Sequence, residues 1–126
     1  MPFIHIQSLP LVRSIETPQV LKGIVEDFAQ ATQIDLRHIH ATWQYLEPEH
    51  YARGLSTPSK QPLSEHPVLV DLLTPDLHDD EHIALMLRTI ANSIAERAQF
   101  PYSNIFIAHR EARSGRVFDA GEVEHW

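Results

Sequence analysis

A chain of 126 residues is long enough for one compact domain with an apolar core and too short to divide into two independent ones. Hydrophobic residues make up 43% and charged residues 21%, which excludes disorder over most of the length, and 17 acidic against 10 basic side chains (net −7) leave no positive field for nucleic acid or anionic lipid. The absence of cysteine removes disulfides, thiolate metal sites and cysteine nucleophiles.

Residues 3–6 read as a short strand, ended by Leu9-Pro10. A helix is predicted to start at Thr17-Pro18, with Thr17 as N-cap and Pro18 in the first turn, where a missing N–H costs little. Val20, Leu21, Ile24, Val25, Phe28 and Ala31 follow at the spacing of an amphipathic helix. Ile39, Ala41, Trp43 and Tyr45 alternate with His38, His40, Thr42 and Gln44, the period of a half-buried strand. Residues 47–67, rich in Pro, Ser, His and Glu, read as a connection.

The same order then returns. Val68-Leu69-Val70 reads as a strand. A helix from about Asp79 carries Ile83, Leu87, Ile90, Ala91, Ile94 and Ala98, and Ile105-Phe106-Ile107 reads as another strand. Nine histidines invite a metal reading, best at His78-Asp79-Asp80-Glu81-His82, where two imidazoles four apart flank three carboxylates. That stretch falls where the second helix begins, and its carboxylates suit a cap and the helix dipole better, so no metal is expected.

One offset relates the halves: Leu21 to Leu87, Ile24 to Ile90, Phe28 to Ile94 and Ile39 to Ile105 are each 66 apart (87−21, 90−24, 94−28, 105−39). The expected architecture is a single α/β (α+β) domain over 1–126 with pseudo-repeats at about 2–55 and 67–121. Each is a right-handed β-α-β unit, and together they form a four-stranded sheet with two helices on one face. The other face is left bare although the strands at 68–70 and 105–107 are apolar at consecutive positions, so a second copy of the chain is expected to cover it.

Met1-Pro2-Phe3-Ile4-His5-Ile6, Arg13 ahead of the first helix, the strand at 39–45, His50-Tyr51-Ala52-Arg53-Gly54 and Val117-Phe118-Asp119-Ala120-Gly121 together resemble the tautomerase superfamily, the group of 4-oxalocrotonate tautomerase and macrophage migration inhibitory factor. The resemblance covers nearly the whole chain and implies loss of Met1, a trimer, and Pro2 as a catalytic general base on a small 2-keto or enol carboxylic acid. An α-amino group titrates at roughly 7.7 to 8 in model compounds, and burial or nearby guanidinium groups favour its neutral form. Such an amine can abstract a proton beside a carbonyl, or attack the carbonyl carbon.

By the same resemblance Arg13 binds the substrate carboxylate and Tyr51 shapes the pocket. The second arginine of short members falls at His40, a departure that Arg53 or Arg37 stands close enough to offset. Arg110, with Arg113 and Arg116, is placed to reach a neighbour's pocket. The second unit has Val68 where the first has Pro2, so it has no free amine and is expected to be structural. The expected partners are a small-molecule carboxylate and further copies of the chain, with no cofactor, nucleic acid or membrane. No signal-peptide pattern or bilayer-length apolar run is present, and the default location is cytoplasmic. The alternative is a tautomerase-like binding or structural protein without activity, which the shift to His40 favours.

Overall fold

A computed structural model describes residues 1–126. In chain order it contains β1 (Phe3–Ser8), α1 (Thr17–Thr32), β2 (His40–Tyr45), β3 (Val68–Pro75), α2 (Asp80–Ala98), β4 (Ile105–Ala112), β5 (Val117–Asp119) and β6 (Glu122–Glu124). Short 3₁₀ turns at Leu36–His38 and Tyr102–Asn104 lead into β2 and β4. The first four strands form one sheet in the order β2-β1-β3-β4, and β5 and β6 form a separate two-stranded ribbon. No helix is long and apolar enough to cross a membrane.

Each unit pairs its two strands in parallel with the same stagger: Phe3 lies opposite His40 and Val68 opposite Ile105, 37 residues apart in both (40−3, 105−68). The units meet through β1 and β3, which run antiparallel with His5 opposite Asp71 at the centre. Those two residues are themselves 66 apart, so a local two-fold axis passes between them and the repeat is a rotation in space. The helices obey it as well: α1 ends on Gln33 and α2 on Gln99, both in the left-handed conformation.

Alternation along the strands sends Ile4, Ile6, Val68, Val70 and Leu72 towards the helices, where Val20, Ile24, Phe28, Met86, Ile90 and Ile94 meet them in one buried cluster. Where the helices cross, Asp27 accepts bonds from Ser93 Oγ (2.6 Å) and from Arg97 Nε and Nη2 (2.8 and 3.0 Å). Gly23 makes the approach possible, because a methyl there would fall on the Arg97 guanidinium. On the opposite sheet face Phe3 and Phe106 stay exposed, and Leu69 and Leu73 are half-buried.

Two local expectations change. Thr17 lies inside α1, whose N-cap Glu16 makes no side-chain cap bond. The Thr17 hydroxyl instead meets the Tyr45 hydroxyl at 2.8 Å, tying α1 to the end of β2. The strand predicted from Ile39 begins at His40, because Ile39 closes the preceding 3₁₀ turn. The stretch 117–121 supplies β5 and a turn through Ala120 and Gly121, both at positive φ (52° and 90°), as a tight hairpin requires.

Candidate active site at the start of β1

Because β1 and β3 are antiparallel, the start of one lies beside the end of the other. The sheet therefore has a Pro2 end and a Val68 end, separated by the six residues of β1, roughly 17 Å. The loop that leaves β3 and the ribbon that follows β4 gather at the Pro2 end.

Pro2 is buried, and its carbonyl accepts the His40 backbone N–H at 3.0 Å. The His40 imidazole points to the exposed face, where it stacks on Phe3 with 5.8 Å between centroids and 7° between planes. The pairing of Phe3 with Leu73 carries Pro2 towards buried Thr74, whose Oγ1 lies 2.7 Å from His109 Nε2. Beyond β3, Asp76 accepts the Trp126 indole N–H at 2.7 Å, and His78 stacks on His82. Asp79 caps α2 by accepting the His82 backbone N–H at 2.8 Å, with Asp80 and Glu81 in the first turn. These carboxylates stand where they complement the positive end of the helix dipole.

With Met1 in place the Pro2 nitrogen is an amide. Burial pushes the pKa of the Met1 ammonium below the usual amino-terminal value, while Asp119 and Glu124 of the ribbon pull it back up.

Arg13, Tyr51 and Arg53 lie towards the other end of the sheet. Arg13 is at the Val68 end, where its Nη1 donates to Gln99 Oε1 at 2.5 Å beside a cavity of about 430 Å³ that Arg97 also lines. Tyr51 donates to the Pro67 carbonyl at 2.9 Å and packs edge-on against His66. Burial pushes its phenol pKa up, opposed by the Arg53 charge. Arg53 itself donates to the Glu65 carbonyl. Arg110 is held by Asp71 in a forked pair, its Nη2 2.6 Å from Oδ2 and its Nε 3.0 Å from Oδ1. One chain therefore brings together Pro2 and the His40 backbone and leaves Arg13, Tyr51 and Arg53 towards the Val68 end, whereas Arg110, opposite Leu73 on β4, lies at the Pro2 end of the sheet with its guanidinium taken by Asp71.

The sequence reading had not placed Thr74 and His109 at this end, although the repeat carried the signal. Ser8 and Trp43, 66 positions earlier, form the matching pair at the Val68 end, where the Trp43 indole N–H donates to Ser8 Oγ at 3.0 Å.

No protein-family model and no curated protein matches the sequence. Solved structures match the fold along nearly the whole chain. The F6 fused 4-OT asymmetric trimer has a TM-score of 0.82 at 10% identity, covering 96% of this chain and 94% of that one. The chain has the tautomerase fold. N1, a member of the cis-3-chloroacrylic acid dehalogenase family, matches at 0.78 and 10% identity over 97% and 82% of the two chains. Macrophage migration inhibitory factor from Oncomelania hupensis matches at 0.75 and 12% identity over 98% and 82%. Within the tautomerase fold, the buried start of β1 is the candidate site.

Proposed function

We propose that removal of Met1 frees Pro2 as a general base that isomerises a small 2-keto or enol carboxylic acid. The observation that carries this reading is the burial of Pro2 at the start of a central strand, in a chain whose fold matches tautomerase-superfamily structures from end to end. The neutral amine takes a proton from the carbon next to the carbonyl, leaving an ammonium and an enolate, and the ammonium returns the proton to the other end of the conjugated system. A positioned donor stabilises the enolate oxygen.

The carboxylate needs a cation, and Arg110, the expected arginine on this end of the chain's own sheet, is held by Asp71, so the working unit is an oligomer in which a neighbouring copy supplies an arginine, Arg13 or Arg53 first among them. A trimer suits the bare sheet face, and the β5–β6 ribbon, outside the four-stranded sheet, has backbone edges free for pairing. The 4-OT neighbour is itself a trimer. A single domain, no cofactor and a cytoplasmic location complete the proposal.

Intact mass of untagged protein and a ketonisation assay on enol-pyruvate and dienol acids test the reading. Loss of Met1, with activity falling at least 100-fold in Pro2→Ala, is the expected result. Retained Met1, or equal rates in both proteins, rejects it. The binding-protein reading then gains, supported by the salt bridge that occupies Arg110 and by the distance of Arg13 from Pro2.

A further inference from the structure

Three histidines at the Pro2 end have no part in that reaction. His78 sits just before α2 and His82 in its first turn, and their rings stack with centroids 4.9 Å apart and planes 13° from parallel. His82 Nε2 is sealed from solvent and has no hydrogen-bond partner. From β4 comes His109, bonded to Thr74 Oγ1, with Glu111 two residues on.

The charges around His78 are His82 from α2, His109 and Glu111 from β4, and Asp79 from its own loop. Asp79, Glu81 and Arg88 border the cleft beside His82. Asp76 of the same loop is held by Trp126.

Neutral imidazoles stack without penalty, whereas two cations at this spacing repel one another. A proton that charges His82 leaves a buried cationic N–H at Nε2 with no acceptor, beside the positive end of the α2 dipole. We propose that the His78–His82 stack is an acid-sensitive latch, which holds the first turn of α2 and residues 76–79 against the Pro2 end of the sheet and lets go when the two rings are protonated. The latch does not depend on Pro2 being a base.

Burial holds the His78 pKa below that of a free imidazole, with His82 and His109 adding to the effect and Glu111 and Asp79 opposing it. A histidine whose folded pKa is depressed stabilises the fold above the ordinary value of 6.5. That contribution is lost as the pH falls below 6.5 and through the folded value. Unperturbed carboxylates titrate near pH 4, below this interval.

NMR on the intact protein reads both the ring titrations and amide exchange at Ile83, whose N–H bonds the Asp79 carbonyl at 3.0 Å. In the wild type we expect His78 to titrate below 6.5 and Ile83 protection, corrected for intrinsic rate, to fall at least tenfold from pH 7.5 to 5. The double variant His78→Phe/His82→Phe keeps two stacked rings with nothing to protonate and should lose less than threefold. His78→Gln/His82→Gln serves if the first variant fails to fold. An ordinary or raised His78 pKa, or an equal loss of protection in the wild type and the folded variant, overturns the latch.

Discussion

At one end of the β1–β3 pair Pro2 lies near Thr74, His109 and the stacked histidines. At the other, Val68 lies near Tyr51, Arg13 and the buried Gln61, whose amide joins the Leu9 N–H to the His66 carbonyl. The backbones of the two ends match through the 37-residue stagger, the paired 3₁₀ turns and the left-handed Gln33 and Gln99. Their side chains differ because the connection between the units leaves β2 and enters β3 at the Val68 end and covers that end alone. The two units share a frame and differ in the side chains at each end.

The largest test of that equivalence lies in the core. Phe28 and Ile94 are quasi-equivalent and both fully buried. Phe28→Ala should cost about 3–5 kcal/mol and Ile94→Ala about 2–5 kcal/mol in urea unfolding. A value below 1 kcal/mol for either one would mean that the two units do not share a core.

A smaller effect is expected where the helices cross. Asp27 and Arg97 are a third or more exposed, which discounts the pair, so Asp27→Asn should cost roughly 1 kcal/mol. Arg97, chiefly by hydrogen bonding, holds the Asp27 carboxyl below its ordinary 3.8, so this stability is present above that value and lost as the pH falls below it. Acid unfolding of Asp27→Asn should accordingly begin from a lower stability and fall less steeply below pH 4. A slope unchanged from wild type removes Asp27 from the account.

The smallest contrast is between the helix starts. Asp79→Ala removes a cap bond and should cost about 1 kcal/mol, whereas Glu16→Ala removes none and should stay within about 0.5 kcal/mol by thermal unfolding. Equal costs at both positions would erase the distinction.

Much of the frame was legible before any coordinates. The 66-residue offset aligned strand, helix and strand, and it holds for the paired turns and the helix ends. The β5–β6 ribbon was not, since three-residue strands carry too little alternation to register. Nor was the end to which Arg13 belongs. Arg13 precedes the first helix in sequence, but the antiparallel meeting of β1 and β3 puts residues 76–79, not Arg13, beside the end where Pro2 begins.

The sequence by itself determined the two β-α-β units and the apolar faces of their helices. Those follow from periodicity and from the order of residues along one chain. Only the tertiary structure decided which side chains share an end of the sheet, that Arg110 is occupied by Asp71, and that His78 and His82 stack with a nitrogen left unpartnered. Such outcomes depend on how strands separated by dozens of residues pair and point, and no local pattern encodes that.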